Sequence, residues 1–454
     1  MAVGLERLQW PPMAARGDAR LSPGRPGLGR GVPGQRASRR AGALARRRAR
    51  LPERGHVMRP LNVAYFDNAE ARGGAEEHIL TLLRGLDRTR FRPLLVCTPE
   101  TAAKLGADVP ADVTVVPLRL HSVRDLGPAF RLARVLRERR IDILHSHLFY
   151  SSLFASPVGR LCRVPVIVET PHVREHWRQS RLKTSYVVDR LAGRLVDRFI
   201  AVSRANARYL VNEKALPAAK VVVIENGCDL GRFSGRREPA PGLKQSLGFG
   251  PGDPVLVVVG RLEPQKGHSV LLQALPLVRR EFPHARLVCV GEGAERRALE
   301  AQAASLQLND AVRFVGYRSD VDAWLALADV MVLPSFYEGL PLAAIEALAA
   351  RTPVVATAVD GTPEVVVHGK TGLTVPAGDP YALAEAVTRQ LREPAWARQL
   401  ALAGRRWVEE RFSEQRQVRL TEELYLEEWD ARRGRGRRDS SAEAAEQPPT
   451  ALAS

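Results

Sequence analysis

From residue 61 onward the chain alternates between two rhythms. Short runs of apolar and β-branched residues are separated by longer stretches in which apolar positions recur every three or four residues. The short runs read as strands buried on both faces, and the longer stretches as helices with one apolar stripe. Strand-like runs fall at 61–66, 94–97, 113–116, 141–145, 164–169, 198–202 and 221–225, with helical patterns between them such as 75–85, 126–140 and 183–193. A polar stretch rich in Pro and Gly, 230–254, breaks the rhythm. It resumes with strand-like runs at 255–259, 286–290, 312–315, 330–333 and 353–356, and a helix is expected at 414–429. Strands alternating with helices imply parallel sheets joined by right-handed crossovers. The pattern therefore predicts an α/β chain of two doubly wound halves, whose ligands lie beyond the carboxyl ends of the strands.

Length agrees, because 454 residues exceed what a single core usually supports. The expected division is a disordered extension at 1–57, a first domain at 58–230, a linker at 231–254, a second domain at 255–411, a helix at 412–430 and a disordered tail at 431–454. No apolar run approaches the roughly 18 residues that would suggest a membrane span. The four cysteines, Cys97, Cys162, Cys228 and Cys289, lie far apart without paired spacing. That favours free thiols in a reducing, cytoplasmic compartment over disulfides or a metal knuckle.

The net charge of +18 invites a nucleic-acid reading until it is located. Thirteen arginines before residue 58 face only Glu6, Asp18 and Glu53, and five after residue 430 face Asp439, Glu443 and Glu446. Most of the excess therefore sits on the two ends. The first 57 residues carry too few apolar side chains to offset their ordering entropy, and Met58 stands just before the first strand. We expect Met58 to be the true start or the extension to have no folded role. A tether to nucleic acid or membrane and an Arg-rich targeting segment are the alternatives.

Candidate chemistry follows the strands of the second half. The run 255–259 leads into Gly260-Arg261-Leu262-Glu263-Pro264-Gln265-Lys266-Gly267, where two cations and close-approach glycines at a strand end suit a pyrophosphate. After 330–333 comes Pro334-Ser335-Phe336-Tyr337-Glu338-Gly339-Leu340-Pro341 and an Ala-rich helix carrying Glu346. The amides of Gly339 and Leu340 open that helix and make an anion site. Glu338 can accept bonds from sugar hydroxyls and Glu346 from a ribose diol. The bland alternative is a helix cap and a solvated surface acid.

These pieces resemble the retaining glycosyltransferase family 4, which has the GT-B fold. The Glu338…Glu346 pair resembles its Glu-x7-Glu signature, and Gly73-Gly74-Ala75-Glu76 its Gly-Gly loop over the donor phosphates. Ile224-Glu225-Asn226-Gly227-Cys228-Asp229 resembles its Asn-Gly-x-Asp element. Gly260-Arg261…Lys266-Gly267 resembles its diphosphate-binding pair, and Gly361-Thr362-Pro363-Glu364 its Gly-x-Pro-Glu turn. The resemblance spans about residues 61–430 and implies two Rossmann-like domains facing each other across a cleft. It assigns the diphosphate to Arg261 and Lys266, the donor sugar to Glu338, and the ribose to Glu346. Glu364 would lie near the donor or be structural, and His172, in Val168-Glu169-Thr170-Pro171-His172, would touch the sugar from the first domain. The base would rest against 291–293 and 316–317. The implied reaction transfers a hexosyl group from a nucleotide sugar, UDP-linked ahead of GDP-linked, to a glycan or lipid-linked acceptor with retained configuration.

His145-Ser146-His147, following the strand at 141–144, lacks a neighbouring carboxylate or thiol and is read as lining the acceptor side or as structural. Asp320-Val321-Asp322 opens a helix, so Asp320 reads as an N-cap and not as half of a metal-binding Asp-x-Asp. No metal and no separate cofactor are expected. Two basic amphipathic stretches, 122–140 and 176–194, suggest docking on the anionic inner face of a membrane, against the alternative of solvated faces. Three other functions remain open: a nucleotide-sugar 2-epimerase of the same fold, an inactive transferase acting as a binder, and a basic nucleic-acid-binding protein, the last lacking aromatics within its basic ends.

Overall fold

The computed structural model describes residues 59–69, 73–122, 124–175, 185–233 and 242–445. The expectations for the N-terminal extension, for 176–184 of the second basic stretch, for 234–241 of the linker and for 446–454 lie outside the described residues.

The first lobe holds a seven-stranded parallel sheet of β1 (Leu61–Phe66), β2 (Phe91–Cys97), β3 (Thr114–Pro117), β4 (Ile143–His147), β5 (Val166–Thr170), β6 (Arg198–Ala201) and β7 (Val221–Val223). Its crossovers are α1 (Gly74–Gly85), α2 (Pro99–Leu105), α3 (Leu126–Glu138), α4 (Phe149–Leu161), α5 (Ser185–Gly193) and α6 (Arg204–Arg208). In the second lobe, after the short α7 (Leu243–Ser246), a six-stranded parallel sheet contains β8 (Val255–Val259), β9 (Arg286–Val290), β10 (Val312–Gly316), β11 (Val330–Leu333), β12 (Val354–Thr357) and β13 (Leu373–Val375). Around it lie α8 (His268–Arg279), α9 (Arg296–Ser305), α10 (Val321–Leu327), α11 (Leu342–Ala349), α12 (Thr362–Val365), α13 (Pro380–Arg392) and α14 (Pro394–Arg411).

The strand orders are 3-2-1-4-5-6-7 and 10-9-8-11-12-13. Each order reverses direction once, between β1 and β4 in the first sheet and between β8 and β11 in the second. At such a switch point neighbouring loops diverge to opposite faces and leave a crevice. The central strands are apolar on both faces because helices cover both faces; β1 and β8 are buried almost throughout.

The last helix, α15 (Glu414–Ala445), follows the second lobe in sequence but completes the core of the first. Val418, Leu420, Leu424 and Tyr425 join Val63, Tyr65, Ile79, Leu83 and Phe91 in one apolar cluster. The helix runs on past 430, where a disordered tail was expected. Its continuation is tied down by Arg432, which pairs with Asp197 in the first lobe.

Candidate functional site

The loops after β8 and β11 form the second-lobe wall. After Gly260, Arg261 and Glu263 lead into a tight turn, Pro264–Lys266, which Gly267 ends at a φ of 66°. A Cβ at Gly267 would lie 2.1 Å from the carbonyl oxygen of Pro334, so only glycine lets the two loops meet. The contact delivers Lys266 to Glu338, with Nζ 2.6 Å from Oε1. The same oxygen accepts from Ser335 Oγ at 2.7 Å, while the Glu338 amide donates to Asp360 at 3.0 Å. The Glu338 side chain is 6% exposed and that of Lys266 19%, so the pair is nearly desolvated. Removing either partner would leave an uncompensated buried charge. Arg261 pairs with Glu263 at 2.8 Å, both side chains more than a third exposed. Both cations therefore rest on carboxylates that an incoming anion can replace.

Glu346 lies just over one turn into α11 and is partly buried. Burial pushes its carboxyl up to about 7, against the lowering effect of Arg232 and with reinforcement from Glu77 and Asp322. Leu340 is buried in the apolar cluster beneath this wall, so only its backbone could meet a ligand. Asp320 stands at the N-cap position of α10, but its side chain makes no capping bond. It forms a two-point pair with Arg318 instead, which with Trp324 holds its carboxyl down at about 2. Among the described residues no group of three His, Cys, Asp or Glu is arranged for a metal.

The first-lobe wall comes from the ends of β1, β4 and β5. Gly73 is extended at a φ of −161°, and its amide donates to Glu76 Oε2 at 2.6 Å, fixing the start of α1. A Cβ at Gly73 would lie 3.7 Å from Arg261 Nε, and one at Gly74 would lie 3.8 Å from Leu342, so this loop reaches the second lobe. Glu76 is buried beside Asp67, and burial raises both carboxyls. His172, just after β5, is 6% exposed. Its carbonyl oxygen would be 1.8 Å from a Cβ at Gly339, and the glycine is what allows the lobes to touch there.

His172 belongs to a set of four buried imidazoles. His78 meets it edge-on at 4.9 Å, and His147 stacks against it at 5.3 Å. His147 and His145 lie within β4, not after a strand as expected, and their alternation puts both rings on one face. Burial holds all four well below the usual imidazole range. They are neutral at physiological pH.

The structure thus gathers Gly73, Gly74, His172, Arg261, Lys266, Glu338, Gly339 and the Glu346 helix at the two switch points. Glu364 is elsewhere: its oxygens accept the amides of Arg204 at 3.0 Å and Ala205 at 2.8 Å, capping α6 of the other lobe. In this arrangement the carboxylate joins the lobes, which is the structural one of the two roles expected for Glu364. Ser335, Asp360 and Glu263 were not anticipated as site residues, and His147, read as lining the acceptor side or as structural, stands against His172 instead. Only His147 had a usable signal, since two histidines at strand spacing must share a face.

Comparison with known proteins accounts for the arrangement. A family model described as Glycosyltransferase Family 4 matches residues 72–232, and one described as Glycosyl transferases group 1 matches 241–407. A glycogen synthase of Mycobacterium tuberculosis is 33% identical over 316 residues, spanning 67% of this chain and 73% of that protein. The chain belongs to the group 1 glycosyltransferases. Another relative of this glycosyltransferase is the GDP-mannose-dependent alpha-(1-6)-phosphatidylinositol monomannoside mannosyltransferase of Mycolicibacterium smegmatis, 30% identical over 356 residues, 74% of this chain and 90% of that one. Solved structures share the fold at lower identity. HepE of Anabaena, crystallised with UDP-glucose, superposes with a TM-score of 0.71 at 22% identity, covering 81% of this chain and all of that one. Sucrose-phosphate synthase of Thermosynechococcus elongatus gives 0.68 at 24%, over 82% of this chain and all of its own. The two parallel-sheet lobes are those of a GT-B glycosyltransferase, and this membership does not favour the epimerase reading.

Proposed function

We propose that this glycosyltransferase moves a hexosyl group from a nucleoside diphosphate sugar, UDP-linked ahead of GDP-linked, to a hydroxyl of a glycan or lipid-linked acceptor. The observation that carries the reading is the pair of exchangeable cations, Arg261 and Lys266, facing a neutral imidazole wall across the switch points. The diphosphate displaces Glu263 from Arg261 and Glu338 from Lys266. Glu338, freed but still held by Ser335, turns to the sugar hydroxyls. The amides of Gly339 and Leu340 at the start of α11 add to the positive end of the site. Glu346 takes the ribose diol, and His172 touches the sugar from the first lobe.

As the bond from the anomeric carbon to the phosphate oxygen breaks, charge grows on the diphosphate, and Arg261 and Lys266 stabilise it. The acceptor oxygen bonds to the same carbon from the same face, and its proton passes to the leaving phosphate oxygen. Configuration is retained, and these cations supply the neutralisation that a metal provides elsewhere. HepE was solved with UDP and with UDP-glucose, which supports a UDP donor; the Mycolicibacterium relative, named as GDP-mannose-dependent, makes GDP the second choice.

No helix among the described residues is long and apolar enough to cross a membrane. On α3, however, Leu126 and Phe130 are 71% and 74% exposed, with exposed Arg124, Arg131, Arg134 and Arg137 around them. That mixture supports peripheral attachment to anionic lipid at the inner face of the membrane. Flotation with anionic vesicles should carry the wild-type protein upward and leave Phe130→Asp below; equal flotation of the two removes this attachment.

The donor reading is tested by thermal-shift titration with UDP, GDP and ADP without metal. Stabilisation by one diphosphate, lost in Lys266→Ala, is expected. Stabilisation by none of them would point to an inactive member and overturn the proposal.

A further inference from the structure

His147 Nδ1 lies 3.0 Å from His172 Nε2, and both rings are buried. Two neutral imidazoles at this distance share one proton. Either His147 donates from Nδ1, or His172 donates from Nε2. The choice is decided at the far side of His147, whose Nε2 is buried with no hydrogen-bond partner among the described residues. If His172 donated, His147 would have to carry its own proton on that isolated Nε2. If His147 donates, Nε2 keeps only a bare lone pair. An orphaned buried N–H is the rarer arrangement in folded proteins, so the proton belongs on His147 Nδ1.

We infer that His147 is a positioning residue: its Nδ1–H holds His172 as the Nδ1–H tautomer, so that the sugar-facing histidine can donate a hydrogen bond but cannot accept one. The inference rests on the placement of His172 against the donor sugar. It adds a selection rule to that contact, because a donor-only imidazole requires an acceptor oxygen on the sugar. The array behind it is fixed from two sides. His145, tilted against His147 with ring centres 4.3 Å apart, bonds to Tyr425 of α15 at 2.6 Å and to Thr170 at 2.7 Å. His78, edge-on to both His147 and His172, bonds to Asn226 at 2.7 Å. The hydrogen bonds of both neighbours go to residues other than His172, so the constraint passes through His147.

The decisive experiment is nitrogen NMR of histidine-selectively 15N-labelled full-length protein, with His172 assigned from His172→Gln. The expected spectrum shows His172 protonated at Nδ1 and bare at Nε2; a proton at Nε2 overturns the inference whatever the activity. His147→Leu and His147→Asn are then compared. Asn keeps an N–H near the position of Nδ1, whereas Leu keeps only volume. His147→Leu should lower turnover of the donor sugar about tenfold or more with diphosphate binding in the thermal-shift assay unchanged, and His147→Asn should recover most of the loss. Equal defects in two folded variants would make the role one of packing alone and overturn the inference. Absence of diphosphate binding in the wild type would instead fault the donor-site reading and leave the tautomer result standing.

Discussion

On the second-lobe side of the cleft, charges are held in pairs that can exchange partners: Lys266 with Glu338, and Arg261 with Glu263. On the first-lobe side, four imidazoles are packed ring to ring and kept neutral by burial. The contrast matches what each wall is asked to hold. A diphosphate needs charge that is available on demand: the half-exposed Arg261–Glu263 pair releases it cheaply, and at the nearly buried Lys266 the incoming phosphate takes over the countercharge that Glu338 supplies. A sugar hydroxyl needs direction rather than charge, and a desolvated ring locked by its neighbours provides that without attracting a counter-ion.

Changes to either wall should therefore fail differently. The largest effect is expected for Lys266→Ala. Diphosphate affinity should fall by a factor on the order of 100, and the stranded Glu338 should cost about 3 kcal/mol in urea unfolding. Full diphosphate affinity in this variant would break the contrast at its centre. Gly339→Ala comes next, because its methyl would collide with the His172 carbonyl. Pushing the walls apart by about 1 Å should lower turnover about 100-fold, with a smaller change in diphosphate affinity. An equal loss in both would mean that the walls do not act separately.

A smaller effect concerns pH. Glu346 is raised from 4.5 to about 7 by burial, so the folded protein holds this proton more tightly than the unfolded chain. Its stabilising contribution is present below pH 4.5 and is lost as pH rises through about 7, by roughly 1 to 2 kcal/mol for this partly exposed group. Glu346→Gln should flatten that slope in thermal unfolding; an unchanged slope would assign it to other groups. The smallest is Glu364→Ala, which removes the cap on α6, costing about 1 kcal/mol of stability with diphosphate affinity untouched. A loss of affinity there would return Glu364 to the donor site.

Much of this was legible in the chain. Parallel sheets buried on both faces leave nearly continuous apolar runs, and these fixed most of the strands within a few residues; β13, three residues interrupted by Thr374 and closed in by Gly372 and Pro376, did not stand out. Arg261, Lys266 and Glu338 could be read because their loops follow strands directly. What could not be read depends on contacts between distant segments. The two amides that consume Glu364 lie some 160 positions away. Glu263 looked like an ordinary loop acid, and nothing local marks Ser335 or Asp360 as holding Glu338. The helical continuation past 430 rests on Arg432 finding Asp197, a pairing visible only after folding.

The placement of α15 has a consequence for the order of events during synthesis. The first lobe emerges from the ribosome long before Val418, Leu420, Leu424 and Tyr425, which fill its core. Until they arrive it must wait as an incomplete sheet with an apolar trough uncovered, a state open to chaperones and to aggregation. The second lobe, closed by its own helices, carries no such delay. Slow codons or truncation near residue 418 should therefore harm the half of the enzyme that was made first.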